Sequence, residues 1–404
     1  MKYTPVEIIQ YVREEDVKFI RLAFCDIYGN QKNIAIMPYE LERAFAHGMP
    51  VDASAIAGFG DEMHEDLFLH PEASTLARLP WRPESGSVVR MFCDITYADG
   101  RPFEADCRRL LKNAAEEADR KGIQFRFGTE MEFYLFKTDE TGAPTRIPHD
   151  EAGYMDIAPA DKGENVRREV QLTLEQMGIQ PESSHHEEGP GQNEIDFKSS
   201  DPISAADNAV TFQSVVRTIA GRNGLYADFS PKPLPGYPGS GLHINLSAQT
   251  HEGRDCLDPV IAGIMDKICE CTVFMNPISN SYERFGKSKA PKYISWSRYN
   301  RSQLIRVPEL PGVPRRAELR SPDPSANPYL ALLLLIRAGL YGIENHMELA
   351  QPTDINLYNA PAETLENYGR LPENLEAARY AAEESSFIKA SLPARLIRSY
   401  CSGN

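Results

Sequence analysis

The chain has 404 residues, 42% hydrophobic and 25% charged, enough to bury a sizeable core and to form two domains or one large domain with an appendage. A formal net charge of −15 disfavours nonspecific binding to nucleic acid or anionic membrane, because like charges repel. No apolar run reaches the roughly 18 residues of a membrane span and the start MKYTPVEIIQYVREEDVKFI lacks a signal-peptide core, so the sequence reads as soluble and cytoplasmic.

Seven cysteines, with no paired CxxC sets, read as reduced thiols. Cys269 and Cys271 in DKICECTVF stand one residue apart on a helical stretch, where their side chains point in different directions, which argues against a metal pair.

In chain order, residues 1–100 combine the strand candidates VKFIRLAFCD and VVRMFCDITY with the Gly/Pro-rich connectors HGMPVDASAIAGFGDEM and LPWRPESGS. This reads as a small β-rich domain. From Pro102 the period changes. In FEADCRRLLKNAAEEADRKG, Leu110, Leu111, Ala114, Ala115 and Ala118 share one helical face and Gly122 is a stop signal, so a helix opens a second domain over 101–404. Further helices are predicted over 164–177, 204–222, 259–275 and 327–349. The last is almost wholly apolar in LALLLLIRAGL and reads as a central buried helix. Strand-like segments lie between them without the regular alternation of a doubly wound parallel sheet.

Four of those segments share a habit. Alternate side chains of a strand face opposite sides, so parity can be read from the numbering. In GTEMEFYLF, Thr129, Met131, Phe133 and Leu135 take one side, while Glu130, Glu132 and Tyr134 take the other. In GLHINLS, Leu242, Ile244 and Leu246 oppose His243, Asn245 and Ser247. In RAELR, Arg316, Glu318 and Arg320 share a side, and in QNEIDF, Glu194 and Asp196 oppose Ile195 and Phe197.

If these strands join one sheet, its polar face collects carboxylates, an imidazole and arginines, rather than the Lys, Thr and Ser of an ordinary solvated face. Crowded carboxylates repel unless cations sit among them, and hard divalent cations are the simplest remedy. Arg301 and Arg306 in NRSQLIRVP, with Arg316 and Arg320, supply planar forks suited to phosphate and carboxylate. The loop SPKPLPGYPGSGLHI can bring backbone amides close to an anion.

Taken in order, GTEMEFYLF, HHEEGPGQNEIDF, KPLPGYPGSGLHINLS, NRSQLIRVP and RRAELRSPDPSANPYLALLLLIRAG resemble the motifs of the glutamine synthetase family over residues 15 to 395. The resemblance implies an α+β fold, with an N-terminal β-grasp domain and a larger catalytic domain whose antiparallel sheet forms a metal-binding funnel flanked by helices. It places one metal on Glu132, Glu187 and Glu194 and a second on Glu130, His243 and Glu318. Glu187 comes from the resemblance alone. It further implies ATP and Mg2+ or Mn2+ as cofactors, and glutamate and ammonia as substrates joined through an acyl phosphate. Arg301 and Arg306 would then serve phosphate, and Arg284 and Arg320 the amino-acid carboxylates beside Gly239. Arg316, Asn245 and Ser247 would serve the nucleotide. Asp52 matches an ammonium-site aspartate given to a neighbouring subunit of a ring. The sequence ends in LPARLIRSYCSGN, short of the tail by which bacterial members reach an opposite ring, which leaves hexamer against dodecamer open.

The sequence departs from the family in the amine half. In NSYERFGKSKAPKYISWS, Lys289 stands where the family has the glutamate that closes over the site and helps deprotonate ammonium. Pro238 stands where an asparagine is usual, and Ala55 where a serine is usual. Lys289 reads in three ways: a loop lysine balanced by another acid in space, a partner or base for a different substrate, or the mark of an ATP-binding regulatory homologue that makes no amide. Default glutamine synthesis therefore stands beside a γ-glutamyl ligase for another acid or an organic amine. Tyr358, in DINLYNAPAE, matches a loop whose tyrosine is adenylylated in some members, against the alternative of an ordinary exposed tyrosine.

Overall fold

Alternation in the first hundred residues does yield strands. The computed structural model describes residues 3–60, 63, 65–82, 86–309, 312 and 314–402, so parts of both Gly/Pro-rich connectors and the last two residues lie outside the described residues. Contacts divide the chain into two units. One comprises Met1–Leu110 with Gln171–Gln180, the other Leu111–Val170 with Pro181–Asn404, so the division falls beyond the 100/101 boundary read from the sequence.

In the first unit, helix α1 (Pro5–Glu14) precedes strands β1 (Phe19–Cys25) and β2 (Gln31–Ile36). Helix α2 (Leu41–His47), β3 (Met49–Val51), β4 (Leu67–Pro71), β5 (Ala77–Arg78) and β6 (Val88–Thr96) follow. The sheet runs β2-β1-β6-β4-β3, with β5 also on β6. β1 and β6 are parallel and pair Leu22 with Met91, both buried. Sequence reading missed both helices, for a physical reason. α1 buries only Ile8 and Val12 and is started by a capping box, Glu7 N–H donating to Thr4 Oγ1 (3.3 Å) and Thr4 N–H to Glu7 Oε2 (2.7 Å). Such a cap contributes about 1 kcal/mol with little apolar signature.

Helix α3 (Cys107–Arg120) stops before Gly122, whose φ of 78° suits a residue without Cβ. Then come β7 (Ile123–Thr138), β8 (Pro144–Pro148), α4 (Glu164–Gln176, which from Gln171 onward counts with the first unit), β9 (Pro181–His186) and β10 (Gln192–Phe197). Next come α5 (Pro202–Arg222), β11 (Leu225–Asp228), β12 (Leu242–Thr250) and α6 (Leu257–Met275). The last large elements are β13 (Trp296–Ser297), β14 (Ile305–Arg306), β15 (Ala317–Leu319) and α7 (Pro328–Glu344).

The nine-stranded sheet runs β13-β14-β15-β12-β7-β10-β9, with β8 and β11 also on β7. The four segments singled out by parity are therefore consecutive neighbours, β15-β12-β7-β10. Its named pairs are antiparallel except for the short β13–β14 pair, which is parallel and corrects the all-antiparallel expectation. The odd residues of β7, Phe125, Phe127, Met131, Phe133 and Leu135, are buried. α5 covers that side, with the Phe212 ring edge-on to Phe197 (5.0 Å) and Phe133 (5.9 Å).

α7 is buried throughout Leu330–Ile336 and lies along α6. Its start is capped by Asn327 Oδ1, which accepts from Tyr329 N–H (3.0 Å). It ends short of the expected 349 because Met347 N–H turns back to Gly342 O (2.9 Å) and His346 takes a positive φ of 49°. Among the described residues no helix is long and apolar enough to cross a membrane.

Candidate active site

The register of the sheet assembles the acids. Antiparallel pairing sets His243 opposite Glu130, Glu194 opposite Glu132 and Asp196 opposite Glu130, and puts Glu318 beside Asn245 and Arg306. Directly opposed residues have Cβ atoms about 5 Å apart, so their side chains meet on the polar face. Glu130, His243 and Glu318 each bring one donor atom within 4.8 Å of the others. Glu132, Glu194 and His243 do the same, as do His185, Glu187 and Glu194. Glu132 and Glu187 thus share Glu194 without forming one set of three, a looser grouping than the first metal trio expected from the resemblance.

Glu130, Glu132, Glu318 and Glu187 are each held by neighbours. Glu130 accepts from Asn245 Nδ2 (2.7 Å) and faces His243 Nδ1 (3.4 Å). Glu132 accepts from Gln192 Nε2 and Gly241 N–H, both at 2.9 Å. Glu318 accepts from Arg306 Nε (2.6 Å) and from Arg320. Glu187 faces His185 Nε2 (2.8 Å), and its carbonyl is held by His186 Nδ1 (2.7 Å). His186 in turn is locked to the buried Asp150 (2.9 Å). Asp161, which joins those two in a further acid–imidazole group, is paired with Arg167, so that group is satisfied internally.

These environments push the acids apart. Burial raises Glu130, but the His243 hydrogen bond and charge, Asn245 and Arg320 outweigh it and hold its carboxyl at about 2. Burial likewise opposes ionisation of Glu318 and Glu187, and is overcome by Arg320, His243 and Arg306 in one case and by His185 in the other. Glu194 has no such relief. Burial first, then Glu132, Asp196, Glu130 and Glu187, push it well above the carboxylate range, and burial also raises Glu132 and Asp196. Asp196 Oδ1 and Asn245 Oδ1 are buried without a hydrogen-bond partner. Oxygen donors in excess, raised carboxyls and two imidazoles, His185 and His243, form a donor set that fits hard divalent cations.

Two cavities meet at these acids. The first, about 270 Å³, is lined by Glu130, Glu132, Glu187, Glu194 and His243, with Gly239, Arg284, Lys289, Arg301, Arg306 and Arg320 of the expected site. The second, about 780 Å³, contains the expected nucleotide residues Asn245, Ser247 and Arg316. Glu130, Ser183 and Asp196 belong to both. Arg284 donates to Ser321 O (3.0 Å) and lies 3.9 Å from Asp323, and the Nε atoms of Arg284, Arg316 and Arg320 are buried without partners. Gly239 is required by a close approach. A Cβ there would sit 2.4 Å from Pro231 O and 2.7 Å from the Arg284 side chain. Pro238 lines the first cavity and its carbonyl accepts from Tyr134 Oη (2.6 Å).

Three residues behave differently from the strand set. Lys289 is balanced by an acid in space, Glu188, and its ammonium lies 4.8 Å from the Tyr154 ring centroid. Asp52 belongs to the first unit, is exposed, and accepts from Ser54 N–H (2.9 Å) and Oγ (2.7 Å). Tyr358 is no ordinary exposed tyrosine. Its hydroxyl is buried without a partner, and burial, opposed by the Arg320 and Arg284 charges, pushes it to about 12.

Sequence reasoning missed His185, Glu188, Gln192 and Tyr154. Gln192 was within reach, since QNEIDF gives it the parity of Glu194 and Asp196. Glu188 and Tyr154 lie in turns, where parity has no meaning.

The description "Glutamine synthetase, catalytic domain" matches residues 104–403, and "Glutamine synthetase, beta-Grasp domain" matches 16–98. A glutamine synthetase of Clostridium saccharobutylicum is 42% identical over 417 residues, covering 100% of this chain and 94% of the relative. One of Methanosarcina mazei is 42% identical over 412 residues, covering 98% and 92%. A solved GmaS/ADP complex superposes with a TM-score of 0.88 at 27% identity, covering 97% of this chain and 93% of that one. Apo GmaS without ligand gives 0.87 at 27%, covering 98% and 93%. The chain belongs to the glutamine synthetase family, with an N-terminal β-grasp domain and a larger α+β catalytic domain, and is an ATP-dependent carbon–nitrogen ligase.

Proposed function

We propose that this member of the glutamine synthetase family joins the γ-carboxylate of glutamate to an amine through an acyl phosphate, using ATP and a divalent cation, Mg2+ or Mn2+. The observation that carries the reading is the Glu130–His243–Glu318 set, closed in by Arg306 and Arg320, with Glu130 common to both cavities. Glu130, His243 and Glu318 would hold one cation, and Glu132, Glu194 and Glu187 a second. Bound there, the cations supply neutralising charge to the phosphoryl group in transfer.

The chain's own residues orient the reactants. Arg284 and Arg320 bind the amino-acid carboxylates, Arg301 and Arg306 the phosphate, and Arg316, Asn245 and Ser247 the nucleotide. A γ-carboxylate oxygen forms a bond to the terminal phosphorus as its bond to the ADP oxygen breaks. The amine nitrogen then bonds to the acyl carbon as the bond from that carbon to the phosphate oxygen breaks; inorganic phosphate leaves with that oxygen and the nitrogen gives up one proton to it. Guanidinium forks already fixed in place cost little reorganisation as charge develops.

Two acceptors have support. The 42% identical relatives named glutamine synthetase support ammonia. The Lys289–Glu188 pair supports an organic amine, because it already sets an alkylammonium against a carboxylate at the cavity that holds the acids. A non-ligase homologue has less support, since the acids and arginines of the phosphoryl half are all present. Ring assembly, with Asp52 given to a neighbour's site, belongs to the same reading, and seven cysteines without paired CxxC sets support a cytoplasmic setting. The test is glutamate-dependent phosphate release from ATP with ammonia and with small amines. Glu130→Ala should abolish it, and retained turnover would sink the proposal.

A further inference from the structure

The lip of the first cavity already holds an alkylammonium, one attached to the chain. The Lys289 ammonium pairs with Glu188 and lies 4.8 Å from the Tyr154 ring centroid. Carboxylate plus aromatic face is a recognition pattern for an organic cation. Tyr154 is braced edge-on by the His185 ring (5.3 Å, 87°), and the next residue is tied down by Met155 N–H donating to His186 O (2.9 Å). Tyr154, Met155, Glu188 and Lys289 all line the cavity that contains the acid cluster.

The backbone that delivers Lys289 is strained. Ser288 and Lys289 have φ of 44° and 64°, two consecutive L-residues in the left-handed region. The excursion is enforced by Gly286 N–H to Ala290 O (2.9 Å) and Ala290 N–H to Lys287 O (2.9 Å), with Arg320 donating to Lys289 O (3.4 Å). Strain of this kind persists only where the surroundings over-determine it, and it concentrates at ligand clamps.

We propose that Glu188, Tyr154 and Met155 form the acceptor subsite, that it takes a short primary alkylammonium, and that Lys289 fills it as a tethered stand-in which the substrate displaces. The proposal rests on the ligase reading and deepens it. A tethered competitor acts at high effective concentration, so a free cation must offer more than charge to replace it. Ammonium offers only charge and N–H donors. An alkylammonium also lays methyl or methylene groups on Tyr154 and Met155, which are 45% and 59% exposed.

Initial-rate phosphate release by the full chain, with Mg-ATP, glutamate and either ammonium or ethylammonium, tests it. Ethylammonium should be preferred in kcat/KM by about ten-fold or more. Glu188→Gln should raise the ethylammonium KM by about ten-fold while leaving the KM for glutamate and ATP unmoved, since it removes one exposed charge partner. Lys289→Met keeps the length and removes the competitor, so it should lower the ethylammonium KM. Shifts of opposite sign at the two positions distinguish a subsite from damage to the fold. Preference for ammonium, an unchanged amine KM in Glu188→Gln, or shifts of the same sign in both variants would each overturn the proposal. Hydroxylamine at saturating concentration separates the two levels. Glutamyl hydroxamate formation together with an amine KM indifferent to Glu188 removes the subsite alone, whereas absence of hydroxamate and phosphate in the wild type removes the ligase reading with it.

Discussion

On β7, β10, β12 and β15 the acids are placed by backbone ladders, with Glu130, Glu132 and Glu318 each braced by neighbours. At the 286–290 turn, Lys289 is placed by one exposed ion pair, one ring and a left-handed excursion. The first region is buried, and its substitution leaves uncompensated charge. The second faces solvent, where an ion pair contributes about 0–1 kcal/mol. Substitution in the turn therefore costs little stability, while the strand acids tolerate almost no change.

That contrast is breakable. The largest effect is expected for Glu318→Ala, which strands Arg306 and Arg320 as buried charges. Breaking such a pair costs about 3–5 kcal/mol and should lower the melting temperature as well as abolish ATP turnover. A stable, active variant would mean the strand half is as tolerant as the loop. Next comes Gln192→Ala, which frees Glu132 from one of its two donors. Loss of such a partner weakens metal binding by about 10–100-fold, which calorimetry with Mn2+ would read.

Lys289→Glu should act more gently. Placing a second carboxylate beside Glu188 should raise ammonia-dependent phosphate release by a few fold and leave the melting curve in place. No gain with ammonia would show that specificity lies outside this turn.

The smallest effect lies in the first unit, at Asp106, which burial and then the Asp94 charge raise to about 6 from the usual 3.8. A carboxyl raised on folding adds stability that is complete below the unfolded value, near pH 4, and is lost as pH rises through about 6. Melting temperatures between pH 4 and pH 7 should therefore carry a falling component that Asp106→Asn removes. It is a burial-driven carboxyl of the first unit, and so a control for the raised acids of the cluster.

Much of the phosphoryl half was legible in the sequence because a strand's period is two. Parity put Glu130 with Glu132, His243 with Asn245 and Glu194 with Asp196, and the sheet then set these strands side by side. Glu187 has no such signal, lying just beyond β9 and reached only by resemblance. The balance of Lys289 by Glu188 joins two turns a hundred residues apart, and nothing local announces it. Tyr358 was misjudged for a similar reason. Its loop is stapled by Gln303 to Ile355 O (2.8 Å) and by Ser302 to Leu357 N–H (3.1 Å), contacts that bury the hydroxyl and that composition does not encode.

The pairing of His243 with Glu130 has a consequence for how such a chain can diversify. Because one inserted or deleted residue in β7 or β12 would turn the donors beyond it to the opposite face, length changes there are all-or-none. The 286–290 turn, closed by its own short hydrogen bonds, can be lengthened, shortened or recoded without a frame to lose. Libraries seeking new acceptor amines should vary that turn in length as well as in sequence, and hold the strands fixed.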